Sequence, residues 1–119
     1  MGYCSYVVAE LQLDPAKRKE ILDEISNITE SEATYFEWHL ITLNEYLDQE
    51  TMYVEIDGYD GKWYQFDEFI EWLDKYVLHG TISRNGEEIG DYEEYEWKAD
   101  GKKYSGIMEI VRKEVPWKR

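Results

Sequence analysis

The sequence predicts a single α+β domain, a mainly antiparallel sheet with two helices in the order β-α-β-β-α-β-β-β. Three observations lead there. Asn85-Gly86 and Asp100-Gly101 are turn dipeptides that accept positive φ, so they divide 79–115 into a C-terminal three-stranded meander. Phe66, Phe69, Ile70, Leu73, Tyr76 and Val77 recur at helical spacing. Near the N-terminus, Tyr3, Val7, Ala9, Leu11 and Leu13 share one strand parity, and Glu10 and Gln12 take the other.

The first strand is thus expected over 3–13. Asp14-Pro15 follows as an N-cap carboxylate with proline at the first helical position. Ile21, Leu22, Ile25 and Ile28 then mark a helix with one buried stripe, ending near Asn27. The stretch 29–49 carries two signals. Thr29 with Glu32 resembles a capping box, and Phe36, Leu40, Leu43 and Leu47 keep helical spacing. Against this, 35–42 is rich in β-formers, and Phe36, Trp38 and Leu40 alternate. We favour a strand, paired with 52–57 through a polar loop over 48–51.

Asp57-Gly58-Tyr59-Asp60-Gly61 reads as a glycine-rich turn before the second helix. Lys75 and His79 fall near that helix's end, where they complement its dipole, and Gly80 is the expected C-cap. The first six elements fit a split β-α-β arrangement with both helices on one sheet face. If both turn dipeptides form two-residue loops, Arg84 opposes Glu87, Ile82 opposes Ile89, Lys98 opposes Lys103, Trp97 opposes Tyr104 and Tyr95 opposes Gly106. Ile82, Ile89, Tyr95, Trp97, Tyr104, Met108 and Ile110 then share one face, and Glu94, Glu96 and Glu109 the other, with Tyr92.

At 119 residues the chain is long enough to bury a core unaided. Eleven Tyr, five Trp and three Phe argue for packing and against disorder. The net charge is −14. Between Lys19 and Lys62 lie twelve acids and no Lys or Arg, and 87–96 holds six more acids and no base. Such a field opposes direct contact with nucleic acid or an anionic membrane, and favours a basic partner. A lone Cys4, the lack of a basic-then-apolar leader and the lack of a long apolar run predict a soluble, cytoplasmic chain.

Catalytic motifs are few. One cysteine and two histidines give no zinc spacing, and Asp57-x-x-Asp60-Gly61 lacks the alternating ligands of a calcium loop. Neither G-x-S-x-G nor a phosphate-binding glycine loop occurs. His39 is expected mid-strand and His79 at a helix end, so no nucleophile–base pair is indicated. No catalytic residue, cofactor or metal is assigned, and the chain is read as a non-enzyme.

Met1-Gly2-Tyr3 with its alternating strand, and Gly80-x-Ile82-x-x-x-Gly86-Glu87-Glu88-x-Gly90-Asp91 followed by Asp100-Gly101, resemble a family of small uncharacterised bacterial and phage proteins of like length and element order. The resemblance implies the fold and no activity. In size, acidity and lone-domain organisation the chain is also similar to anti-CRISPR and anti-restriction proteins. The expected function is therefore inhibition: an acidic face occupying the nucleic-acid groove of a defence nuclease. Glu37, Glu45, Asp48, Glu50, Glu55, Asp57, Glu94 and Glu96 are the candidate contact residues. The alternatives are an immunity or antitoxin protein for a basic toxin, and a small carboxylate-dependent hydrolase or carbohydrate-binding module, in which paired acids and aromatic rings would meet a sugar.

Overall fold

The computed structural model describes residues 4–88, 90–108 and 111–117, with the backbone alone for Met108 and Val111. Its strands are β1 (Ser5–Leu13), β2 (Leu47–Asp48), β3 (Tyr53–Gly61), β4 (Val77–Gly86), β5 (Tyr92–Trp97), β6 (Lys103–Met108) and β7 (Val111–Val115). The helices are α1 (Arg18–Ser26), α2 (Tyr35–Glu45) and α3 (Phe66–Tyr76), with short 3-10 turns at Pro15–Lys17 and Glu30–Glu32. The class is α+β, as expected. The strands form one antiparallel sheet in the order β2-β3-β1-β4-β5-β6-β7.

Alternation decides which side of the sheet is covered. In β1, Val7, Ala9, Leu11 and Leu13 are buried, while Tyr6, Val8 and Glu10 between them are exposed. Val54, Ile56, Ile82 and Trp97 extend the inward row across neighbouring strands. Ile21 and Ile25 of α1, Leu40 and Leu43 of α2, and Phe69, Ile70 and Leu73 of α3 pack in the same cluster. Burial of such apolar surface, worth ~25 cal/mol per Å2, is the main attraction holding the helices down. The opposite sheet face carries no helix among the described residues.

The strand expected at 35–42 is a helix. Thr34 Oγ1 accepts from the Glu37 N–H at 3.1 Å, and Glu37 Oε1 accepts from the Thr34 N–H at 3.0 Å. This capping box lies five residues beyond the Thr29–Glu32 pair, which flanks a 3-10 turn instead. His39, Leu40 and Leu43 are buried at helical spacing, whereas Trp38 is 43% exposed, so the helical stripe wins over the period-two alternation. With a helix there, no split β-α-β unit forms: β1 runs antiparallel to both β3 and β4.

Further expectations yield to sheet pairing. The supposed turn at 57–61 is strand, with Gly58 taken up as a bulge between Val7 and Val8's partners. Gly58 has φ of +98°, and the Tyr6 ring lies over the space its side chain would fill. His79 and Gly80 do not end α3, because Val77 passes straight into β4. His79 pairs with Gln12, and Gly80 (φ +139°) pairs with Leu11, where a Cβ would come within 2.2 Å of the Glu10 carbonyl oxygen.

Both tight turns are longer than two residues. Asn85 pairs with Tyr92 and the Gly86 N–H donates to the Asp91 carbonyl, so Arg84 opposes Glu93 and Ile82 opposes Tyr95. Ile89, Glu109 and Ile110, placed by the sequence reading in this meander, lie outside the described residues, as does the Met108 side chain. In the second turn Lys98 donates to the Lys102 carbonyl, leaving Ala99, Asp100 and Gly101 as the loop, with Gly101 at φ +91°. The register moves by one residue: Trp97 opposes Lys103, Glu96 opposes Tyr104 and Glu94 opposes Gly106. Lys103 therefore turns inward and Tyr104 outward.

Gln65 joins two helices. Its backbone is left-handed (φ 61°), its carbonyl accepts from Phe69 N in α3 at 3.3 Å, and its side-chain oxygen accepts from Phe36 N in α2 at 2.9 Å. The first is the opening hydrogen bond of α3, and the second gives α2 an acceptor for a donor that its own helix cannot satisfy.

Candidate functional site

The uncovered sheet face follows from cross-strand register, because partners in an antiparallel pair point the same way. One row runs Glu55, Glu10, Thr81, Glu96, Tyr104, Glu114 from β3 to β7. The next row runs Asp57, Val8, Ser83, Glu94, Gly106, Arg112. Asp48 joins from β2, opposite Tyr53. Rows lie ~6.7 Å apart along a strand and strands ~4.8 Å apart, so these carboxylates form a close array on one face.

The array has two electrostatically different halves. On the β5–β7 side, Arg112 bridges Glu94 (Nε to Oε1, 3.4 Å) and Glu96, and it also lies over the Tyr104 ring. Lys98 reaches the same ring from the turn, 5.1 Å from its centroid. Bonding to Glu96, aided by the Glu94 charge, raises the Arg112 pKa above its ordinary value. On the β2–β3–β1 side, Glu10, Asp48, Glu55 and Asp57 enter no salt bridge among the described residues. Tyr53 lies among them, and desolvation together with the Glu10 and Glu55 charges pushes its hydroxyl pKa up. Tyr6 and Val8, 46% and 37% exposed, supply an apolar strip beside the acids.

Asp48, Glu55, Asp57, Glu94 and Glu96 are thus brought onto one face. The structure places the other candidates elsewhere. Glu37 is used in the α2 capping box, Glu45 lies at the end of α2, and Glu50 sits in the β2–β3 turn. Asp48 has a local task as well, accepting from the Glu50 N–H at 2.9 Å. Two members of the face escaped the sequence reading. Glu10 was legible from its parity against Val7, Ala9 and Leu11. Glu114 was not, because 77–115 holds four strands rather than the expected three, and its side is set by the pairing of β7 with β6.

No group of three or more His, Cys, Asp or Glu residues suited to a metal ion occurs among the described residues. No described helix is long and apolar enough to cross a membrane. Cavities on the helix side and at the sheet ends are open. One of about 310 Å3 is lined by Asp67, Glu71, Asp74 and Lys103, but Asp74 is already committed to Lys103 and to the Trp97 indole. The carboxylate-rich sheet face is therefore the strongest candidate for molecular contact. Comparison of the chain with protein-family models, with curated proteins and with solved structures finds no match.

Proposed function

We propose that this protein is a non-enzymatic inhibitor whose open sheet face docks on a basic, nucleic-acid-binding surface of a defence nuclease, in the manner of anti-CRISPR or anti-restriction proteins. One observation carries the reading: Glu10, Glu55 and Asp57 stand side by side on the helix-free face with no salt-bridge partner among the described residues. Carboxylates a few ångströms apart repel, and that repulsion is relieved when a cationic surface covers them. Their spacing is comparable with the charge spacing along a nucleic-acid backbone. Tyr6 and Val8 add apolar contact, which holds a complex together after charge has steered the encounter.

Glu94 and Glu96 contribute less than the sequence alone indicated, since Arg112 already neutralises part of their charge. The test is capture of candidate nucleases by the tagged chain at low and high salt, with competitor nucleic acid. The expected result is capture that falls at least about tenfold between ~0.05 and ~0.5 M salt and is relieved by the competitor. Glu10→Lys with Glu55→Lys abolishes it. Capture indifferent to both salt and charge reversal rejects the proposal.

A further inference from the structure

A second site lies away from the open face, where α2 meets the segment following β3. A cavity of about 280 Å3 there is walled by Tyr35, Trp38, Tyr59 and Trp63, with His39 and Lys62 also lining it. Trp38 and Tyr35 are 43% and 45% exposed, so both rings are accessible to an incoming group. His39 is the reverse, only 4% exposed and stacked on Trp63 with ring centroids 4.5 Å apart.

The tautomer of His39 follows from its partner. Nε2 lies 2.6 Å from the Tyr64 carbonyl oxygen. A carbonyl only accepts, so Nε2 carries the proton and donates. Desolvation holds the ring below its ordinary pKa, outweighing the backbone bond that raises it, so Nδ1 is a bare lone pair at neutral pH. Nδ1 has no hydrogen-bond partner among the described residues. The His39 ring lines the cavity, so a group that enters with an N–H to donate meets an acceptor there.

We propose that this pocket binds the guanidinium group of an arginine side chain. A guanidinium is flat and stacks on aromatic faces, it is cationic and weakly hydrated, and it carries N–H groups to donate to Nδ1. A carboxylate offers Nδ1 another acceptor, and an aliphatic group offers it nothing. The field of a chain with net charge −14 draws a cation in. Lys62 is the opposing charge at the pocket, and it gives the site a diagnostic handle. The assignment stands on the pocket alone and survives if the open face proves idle.

The test is titration of the full chain with N-acetyl-arginine amide, with its citrulline counterpart as an uncharged isostere and the lysine amide as a cation without the plane. Tryptophan fluorescence and the NMR shifts of the His39 ring and Trp38 indole are read. Saturable shifts with the arginine amide are expected, with the other two about tenfold weaker. Trp38→Ala, at an exposed position, weakens binding at least about fivefold with an unchanged circular dichroism spectrum. His39→Phe keeps the ring and abolishes the preference for arginine. Lys62→Ala tightens binding, and Glu10→Lys with Glu55→Lys leaves the shifts at His39 and Trp38 saturable. Equal binding of arginine and citrulline amides, no shift at His39, or weaker binding after Lys62→Ala overturns the proposal.

Discussion

Asp74 is the residue on which the C-terminal meander depends. It is 2% exposed and comes from α3. Its Oδ1 accepts from the Trp97 indole at 2.8 Å and lies 2.7 Å from Lys103 Nζ, while its main-chain oxygen accepts from the Trp117 indole at 2.7 Å. Lys103 also lies over the Tyr95 and Trp97 rings. Removing one partner of such a pair strands the other charge, so Asp74→Ala should cost about 3–5 kcal/mol in urea unfolding. Asp74→Leu with Lys103→Met should recover part of that loss, since an apolar pair avoids the desolvation of both ions, while the Trp97 indole N–H left without its acceptor keeps the remainder. His39 gives a pH signature. Its folded pKa is depressed below the unfolded ~6.5, so the unfolded chain takes the proton first. Its contribution is fully present above the unfolded value and is lost as pH falls from there toward the folded one. Urea midpoints of wild type and His39→Gln, measured at neutral and mildly acidic pH, should therefore converge on acidification. A constant difference would show that His39 does not titrate with unfolding.

At the scale of elements, what the sequence revealed depended on whether the deciding partner was local. β1 and α3 were legible because their own periodicity matches the face they bury. So was Asp14, whose carboxylate accepts from Ala16 N at 3.0 Å. α2 was misread because Tyr35, Phe36 and Trp38 are β-formers, and Trp38 mimics an inward strand position while facing out. The capping box at Thr34 was the better signal, and Thr34→Ala should cost about 1 kcal/mol in thermal unfolding. The β5–β6 register was lost to one extra loop residue. A type I turn closed by Gly101 fits the same Asp-Gly dipeptide as a two-residue turn, and only the packing of Trp97 and Lys103 on α3 separates them. The β1–β4 contact carries its own check. Gly80→Ala puts a methyl group against the Glu10 carbonyl and the Leu11 Cα at positive φ, and should cost about 2–3 kcal/mol by the same assay.

For the molecule as a whole, charge and fold were legible to different depths. The excess of acids is plain in the sequence, but its division between a self-neutralised half under Arg112 and an unpaired half around Glu10 needs seven strands in register. Self-repulsion across that second half should make the free protein more stable in moderate salt, visible as a rising melting temperature. Glu10→Lys with Glu55→Lys should raise the melting temperature at low salt as it removes binding, separating a contact defect from a folding defect. Gln65 couples regions that the chain order keeps apart. One residue fastens the opening turn of α2 and the opening turn of α3, and the aromatic recess is built from both neighbourhoods. Fraying at either end must release the other, so amide exchange at Phe36 and Phe69 should proceed at a common rate, and a guest lodged in the recess should slow both together.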